Sequence, residues 1–152
     1  ELAVEELNEP KDGKASFLPR AVVIGFGPIG QEASKRLLKK GYHVTVIDQN
    51  IDTISGLKGA EIETIFGDAT QFYNLEIAQV ENAKLLVITT PDQSVTQSII
   101  QTARSINPYI QIIARLRFKM DLDNQNWGDI PIICDEEASL EKFIAIIDSQ
   151  IN

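Results

Sequence analysis

Short runs of apolar residues alternate along the chain with longer stretches in which apolar residues recur every three or four positions. The short runs are almost entirely apolar, which is typical of parallel strands that are buried on both faces. The longer stretches have the spacing of amphipathic helices. This alternation predicts an α/β fold with a Rossmann-like, doubly wound parallel sheet of six strands. We expect the strands at 21–25, 43–48, 62–66, 85–90, 110–115 and 131–134.

The connections between these strands predict helices. We expect them over 30–40, 51–58, 75–80 and 95–106. Thr70 or Asn74 is the expected cap of the third helix, because both residue types accept hydrogen bonds from free helical N–H groups. Residues 1–19 are acidic at the start and interrupted by proline and glycine, so we expect a linker or a loosely attached arm there. Residues 20–152 then form one Rossmann domain.

The last segment, residues 136–152, predicts a helix that is apolar around more than one face. Phe143-Ile144-Ala145-Ile146-Ile147 places five apolar residues in a row, and on a helix such a run extends past a single face. Phe143 and Ile146 are expected to contact a second copy of the chain in a homodimer. The alternative is a helix covered by its own sheet and a loop. The stripe expected to pack on the chain's own sheet consists of Leu140, Ile144, Ile147 and Ile151.

The turn after the first predicted strand has the glycine spacing of a phosphate-binding site. Its G-x-G-x-x-G pattern follows a strand and opens a helix, which is the context that a dinucleotide-binding turn requires. The N–H groups and the positive dipole end of the helix favour an anion. A glycine-rich connection without a ligand is the alternative. The candidate binding residues here are Gly25, Phe26, Gly27, Pro28, Ile29 and Gly30.

Asp48 ends the second apolar run, where a Rossmann protein holds the ribose of its nucleotide. Its carboxylate can accept hydrogen bonds from ribose hydroxyls, and its charge repels a 2′-phosphate. Gln49 follows it, and no arginine or lysine comes before Lys58. The sequence therefore predicts NAD(H), AMP or ADP as cofactor in preference to NADP(H). A solvent-exposed aspartate at a strand end is the alternative.

Polar residues also end the third and fourth predicted strands. Because the carboxyl ends of parallel strands meet at one edge of the sheet, we expect these residues near the glycine turn. Asp68 is suited to accept a hydrogen bond from the exocyclic amine of adenine. Ordinary turn chemistry with helix capping is the alternative. The candidate residues are Asp68, Ala69, Thr70, Thr89, Thr90, Pro91 and Asp92.

Arg115 and Arg117 end the fifth predicted strand. Two residues apart, they point the same way if the chain is still extended there. We expect them to hold a ligand phosphate or an acidic group of a partner subunit. The alternative is a solvated strand end with ion pairs inside one chain.

Composition narrows the classes of function. The formal net charge of −8 disfavours general binding to nucleic acid. His43, the only histidine, begins the second strand, so it is expected to be structural. We expect no metal site and no catalytic residues, because no cysteine–histidine cluster and no Tyr-x-x-x-Lys motif is present. Cys134 lies in an apolar run and is expected to be buried.

Four elements carry a resemblance to a known family. They are Val23-Ile24-Gly25-Phe26-Gly27-Pro28-Ile29-Gly30-Gln31, Val46-Ile47-Asp48, Phe66-Gly67-Asp68-Ala69-Thr70 and Ile112-Ile113-Ala114-Arg115-Leu116-Arg117. The chain resembles the nucleotide-binding domain that regulates potassium transport, called the RCK N-terminal, KTN or TrkA-N domain. It is most similar to the cytoplasmic domain of Kef-type potassium/proton antiporters. One departure is Pro28, where the family often has arginine or glycine.

The resemblance implies a sensor and not an enzyme. Such a domain binds NAD(H), AMP or a similar adenine nucleotide, dimerises, and gates a transmembrane cation transporter from the cytoplasmic face of the inner membrane. A fragment of an NAD-dependent oxidoreductase is the alternative function, and a fold that binds S-adenosylmethionine is a third. Some Kef systems respond to glutathione, but the sequence has no independent signature of a glutathione site.

Overall fold

The computed structural model describes residues 18–57 and 59–151. Within them lies a six-stranded, all-parallel sheet in the order β3-β2-β1-β4-β5-β6. The predicted fold class is confirmed, and each strand lies within two residues of its predicted bounds. The predicted arm over 1–19 lies almost entirely outside the described residues and stays a prediction. The strands are β1 (Arg20–Ile24), β2 (His43–Asp48), β3 (Glu63–Phe66), β4 (Leu85–Ile88), β5 (Gln111–Leu116) and β6 (Ile132–Cys134).

The helices agree less closely with the prediction. The first begins at Pro28, before Gly30, because proline suits the first helical position. A short helix between β5 and β6 was not predicted. Among the described residues, no helix has both the length and the apolar character needed to cross a bilayer. The helices are α1 (Pro28–Lys39), α2 (Ile51–Gly56), α3 (Phe72–Ile77), α4 (Gln93–Ile106), α5 (Lys119–Asp123) and α6 (Asp135–Gln150).

The cap predicted for α3 is wrong. The helix begins at Phe72, and Gln71 precedes it without a capping hydrogen bond from its side chain. Thr70 and Asn74 are engaged elsewhere, because both donate to Asp68. The capping residue types are present, but their hydrogen bonds hold the loop after β3 instead of the helix.

Helices cover both faces of the central strands. On one face α1 packs against β1 and β2, and Leu37 is buried with Val23 and Val44. On the other face Leu75 of α3 and Ile99 of α4 belong to one buried cluster with strand residues. These two layers hold the carboxyl ends of β1, β2, β3 and β4 at one edge, where the candidate site lies.

The prediction that all strands are buried on both faces is wrong for β5. Ile112 and Ala114 are buried, whereas Gln111 and Ile113 on the other face are exposed. The exposed face belongs to the side of the sheet that α1 covers, and α1 packs on β1 and β2. In the single chain this face of β5 therefore contacts solvent.

The packing predicted for the C-terminal helix is also wrong. No residue of α6 is buried. The helix follows directly after β6, the edge strand, and it contacts β6 and α5. Asn152 lies outside the described residues. The stripe expected to pack on the sheet is instead half-exposed or more, at Leu140, Ile144, Ile147 and Ile151.

A buried polar cluster lies at the opposite edge of the sheet from the candidate site. The Glu63 carboxylate is 2.7 Å from Nε2 of His43 and 3.4 Å from Nη1 of Arg20. Arg20 also donates to the Thr45 hydroxyl at 3.0 Å. Burying these charges is tolerated because they are paired and hydrogen-bonded. His43 therefore has the structural role that the sequence predicts. Cys134 is buried, also as predicted.

Candidate functional site

The glycine turn joins β1 to α1 at the carboxyl edge of the sheet. Gly25 has a φ of +92°, a conformation that residues with side chains rarely adopt. Its N–H donates to the Ile47 carbonyl at 2.9 Å. A Cβ on Gly30 would overlap the carbonyl oxygen of Gly25. The fold itself therefore requires glycine at both positions.

Gly27 differs from the other two glycines of the turn. Its backbone is extended, with φ −71° and ψ −170°, which any residue can adopt. A Cβ there would have no atom within 4 Å. Packing and backbone strain therefore give no reason for glycine at this position. The bare backbone at the start of α1 instead leaves room for a ligand to approach the first free N–H groups of the helix.

Asp48 holds the turn in place. One carboxylate oxygen accepts a hydrogen bond from the Phe26 N–H at 2.8 Å, and the other accepts from the Asn50 N–H at 2.7 Å. Each carboxylate oxygen has room for a further hydrogen bond. Asp48 is therefore an anchored residue that also faces the cavities described next, and not a free aspartate at a strand end.

Two cavities meet at this edge of the sheet and share Gly25, Asp48 and Thr90. We call the first, of about 290 Å³, the inner cavity; it lies against the ends of β2 and β3 and α4. The second, of about 430 Å³, is the turn cavity and lies against the start of α1. The inner cavity is lined by Ile24, Gly25, Ile47, Asp48, Gln49, Gly67, Asp68, Ala69, Thr90, Asp92, Val95 and Ile99. The turn cavity is lined by Gly25, Phe26, Gly27, Pro28, Ile29, Gly30, Asp48, Thr89, Thr90, Pro91 and Arg115.

Of the predicted binding residues, Thr70 and Arg117 line neither cavity, and all the others line at least one of the two. Thr70 supports Asp68 instead, because its N–H and its hydroxyl donate to one Asp68 carboxylate oxygen at 2.9 and 2.7 Å. The Asn74 amide donates to the Asp68 carbonyl at 2.8 Å. These hydrogen bonds from Thr70 and Asn74 hold the loop after β3, and Asp68 forms part of the wall of the inner cavity.

Sequence reasoning did not identify the apolar wall of the inner cavity. Val95 and Ile99 lie on successive turns of α4, whose apolar face the sequence assigned to the core. Strand residues Ile24 and Ile47 complete this wall. The available signal was the position of Ile24 and Ile47, which lie near the carboxyl ends of two strands that neighbour each other in the predicted order.

Asp92 caps α4. Its carboxylate accepts hydrogen bonds from the Val95 N–H at 2.9 Å and from the Ser94 hydroxyl at 2.8 Å. These bonds, the one from Val95 first, lower the pKa of the Asp92 carboxyl below its usual value. The capping alternative is confirmed for this residue, and Asp92 also lines the inner cavity.

We expect the Asp92→Ala variant to lose about 1 kcal/mol of unfolding free energy at pH 7, because a helix cap is removed. The pKa of Asp92 is lowered by folding, so its stabilisation is complete above the unfolded pKa and is lost as the pH falls through the folded value. Urea denaturation at pH 7 and pH 3 measures the effect. An equal difference between variant and unmodified protein at both pH values would contradict a role for the ionised carboxylate.

The two arginines line different cavities, because β5 ends at Leu116, between them. Arg115 lines the turn cavity, whereas Arg117 lines a neighbouring groove of about 490 Å³ with Phe118 and Asp121. Arg115 forms a two-pronged ion pair with Asp135, with its Nε and Nη2 at 2.8 and 2.7 Å from the carboxylate oxygens. For Arg115 the alternative of an ion pair inside one chain is therefore confirmed.

Glycines and apolar side chains make up most of the cavity walls, together with three carboxylates. The carboxylates of Asp48, Asp68 and Asp92 are each held by backbone or hydroxyl groups. Among residues 18–57 and 59–151, no group of three or more His, Cys, Asp or Glu side chains is arranged to hold a metal ion.

Comparison with curated proteins finds relatives that are components of a potassium-efflux system. The chain is 33% identical over 99 residues to the glutathione-regulated potassium-efflux system protein KefC of Klebsiella pneumoniae (strain 342). The match covers 65% of this chain and 16% of that protein. The chain thus spans about a sixth of the length of the relative that it matches.

Solved structures share the fold. The TrkA-N domain of the inner membrane protein ybaL from Escherichia coli superposes with a TM-score of 0.77 at 22% identity, over 87% of this chain and 98% of that one. The Shewanella denitrificans Kef CTD in its AMP-bound form gives 0.74 at 22% identity, over 88% and 82%. The GsuK channel bound to NAD gives 0.66 at 15% identity, over 78% and 22%.

The family assignment follows from the sequence match itself. The family described as the TrkA-N domain matches residues 21–125, which include the glycine turn, Asp48, the loop after β3 and Arg115. The match covers more than half of the chain. This chain belongs to the TrkA-N domain family.

Proposed function

We propose that the inner and turn cavities bind one adenine nucleotide: NAD(H), AMP or ADP. The observation that carries this proposal is Gly27, a glycine that neither packing nor backbone strain requires, at the start of a 12-residue helix and in the wall of a cavity. Because glycine has no side chain, a phosphate group can approach the N-terminus of the helix at this position.

In this proposal the adenine, the ribose and the phosphates of the nucleotide each contact a different group of residues. The adenine lies in the inner cavity against the apolar side chains of Val95 and Ile99, and Asp68 accepts from its amine. The ribose hydroxyls donate to Asp48, which both cavities share. The phosphates lie in the turn cavity at Gly27.

Structural relatives support the choice of ligand. The Shewanella denitrificans Kef CTD is described in an AMP-bound form, and GsuK is described with ADP and with NAD. These proteins share the fold of this chain. NAD, AMP and ADP have in common an adenosine with a free 2′-hydroxyl and a 5′-phosphate, which are the groups that Asp48 and the glycine turn are suited to recognise.

We further propose that the chain is a regulatory domain of a potassium transporter of the Kef type and not a fragment of an oxidoreductase. The similarity to KefC supports this assignment. Most residues of the cavity walls are glycines or carry apolar side chains. An oxidoreductase that transfers hydride needs a positioned proton donor in its active site. In this proposal the domain acts at the cytoplasmic face of the inner membrane. Potassium flux from vesicles that contain the full-length protein, with and without NAD, tests the regulatory role.

A homodimer through α6 completes the proposal. The large apolar side chains of α6 are between 49% and 67% exposed in the single chain. Such a continuous apolar surface usually marks an interface. A two-fold axis would place the same helix of each subunit against its mate and give a self-complementary contact.

We expect NAD(H) and AMP to raise the melting temperature of the chain more than NADP(H) does. The anchored carboxylate of Asp48 repels a 2′-phosphate, so we expect NADP(H) to bind about tenfold more weakly, a difference of about 1.4 kcal/mol. Thermal shifts at matched ligand concentrations measure this difference, because a ligand that binds only the folded state stabilises it.

The Asp48→Asn variant is the matched control for this measurement. Its side-chain oxygen can still accept from the Phe26 N–H, whereas the negative charge is gone. The preference against NADP(H) should therefore shrink in this variant. Equal shifts with NAD and NADP in the unmodified chain would contradict the role of Asp48 at the ribose.

A further inference from the structure

Arg115 connects the turn cavity to the first residue of α6. Arg115 lines the cavity beside the glycine turn, together with Thr89. Nη1 donates to the Thr89 carbonyl at 2.9 Å, while Nε and Nη2 hold the Asp135 carboxylate. Asp135 is the first residue of α6. One side chain therefore contacts the proposed phosphate pocket and the helix at the same time.

Two further hydrogen bonds join the first turn of α6 to the segment that follows β5. The Glu136 N–H donates to the Arg117 carbonyl at 3.1 Å, and the Glu136 carboxylate accepts from the Lys119 N–H at 3.2 Å. No residue of the helix is buried. The first turn of α6 is thus held by the segment that follows β5, and the pair between Arg115 and Asp135 is its strongest polar contact.

We propose that Arg115 is a switch between the nucleotide and α6: a ligand phosphate takes the guanidinium from Asp135 and thereby loosens the first turn of the helix. This inference rests on the proposed nucleotide site. An arginine fork fits a phosphate as well as a carboxylate, so the two anions compete for the same donors. The phosphate also repels the Asp135 carboxylate, which is bound to the same guanidinium.

Competition of this kind has a thermodynamic consequence. If phosphate binding weakens the contact between Arg115 and Asp135, then that contact must weaken phosphate binding by the same factor. Removing the charge of Asp135 should therefore tighten nucleotide binding. A purely structural pair predicts the opposite or no change, because its loss would only disturb the cavity wall.

The test compares two variants by calorimetric titration with AMP. Asp135→Asn should bind AMP at least about fivefold more tightly than the unmodified chain, which is the lower end of typical coupling between sites. Glu137→Gln is the matched control, since it removes the same charge from the same helical turn. An Asp135→Asn variant that binds no more tightly than Glu137→Gln would overturn the switch.

Amide hydrogen exchange gives a second readout. Saturating AMP should speed exchange at the Glu136 amide, which reports the contact with Arg117. In Arg115→Gln this ligand dependence should vanish. Binding of AMP without any change in exchange or any effect of Asp135→Asn would refute the switch and leave the nucleotide site intact. Failure of all the proteins to bind AMP and NAD would refute both proposals.

Discussion

The Gly27→Val variant should lose nucleotide binding almost completely and keep its fold. We expect the affinity for AMP or NAD to fall about 100-fold or more, which corresponds to about 2.7 kcal/mol. A branched side chain at this position would occupy the space that a phosphate needs at the start of α1. Apart from the residues adjacent in the chain, the protein has no atom within 4 Å of the added Cβ, and the backbone there is extended. The cost in folding should not exceed about 1 kcal/mol, the usual effect of a poor residue at a helix cap.

Calorimetric titration and thermal denaturation of the same preparation separate the two effects. Gly56→Val is the matched control, because Gly56 is exposed, also has open space around its Cβ, and lines neither cavity. It should bind AMP as the unmodified chain does. A Gly27→Val protein with unchanged affinity would mean that the ligand binds elsewhere.

Gly30 shows why the choice of glycine matters. A Cβ there meets the backbone of Gly25 and not a flexible side chain, so the turn would have to shift. Loss of binding in a Gly30 variant would therefore reveal nothing about the ligand. Gly27 is informative because its neighbours leave space that only a ligand would use.

The sheet and the position of the site could be predicted from the sequence because they depend on local rules. The apolar runs are short and separated by helical patterns, and these features fix a parallel sheet. The strand order then brings the ends of β1, β2, β3 and β4 to one edge. For this reason residues as distant in sequence as Gly25 and Asp92 were assigned to one site and do line the same inner cavity.

The hydrogen-bond and ion-pair partners of individual side chains could not be predicted from the sequence in the same way. Arg115 was identified as a candidate, but its pairing with Asp135 depends on the register between β5 and β6, which the sequence does not state. Thr70 and Asn74 have the chemistry of helix caps, yet Thr70 donates to the Asp68 carboxylate and Asn74 donates to the Asp68 carbonyl. Short polar side chains choose among several nearby backbone groups, and tertiary geometry decides between them.

For the C-terminal helix, the sequence could not predict which surface covers each apolar face. Its apolar pattern predicted more than one covered face, but the pattern cannot say which surface covers each face. In the single chain even the stripe assigned to the sheet is exposed. The number of apolar residues that need a partner is therefore larger than the sequence analysis expected, which strengthens the argument for a second subunit.

We expect the unmodified chain to form a dimer that the combined substitutions Phe143→Glu and Ile146→Lys dissociate. Each large apolar side chain that stays in water forgoes about 1.5–3 kcal/mol of burial. Phe143 is 67% exposed and Ile146 is 49% exposed, and both occur twice in a two-fold dimer. Charges at these positions would face each other across the axis without water. The dissociation constant should rise about 100-fold or more, as for other central interface residues.

Sedimentation velocity over a range of concentrations measures this change, and nucleotide binding reports whether the variant is folded. Tyr73→Glu with Tyr109→Lys is the matched control, because it places the same two charges on exposed aromatic residues outside α6. That variant should remain a dimer. If the unmodified chain is already monomeric at high micromolar concentration, the dimer proposal fails. Because Asp135 and the apolar side chains belong to the same helix, a dimer held by α6 would carry any movement of its first turn to the partner subunit.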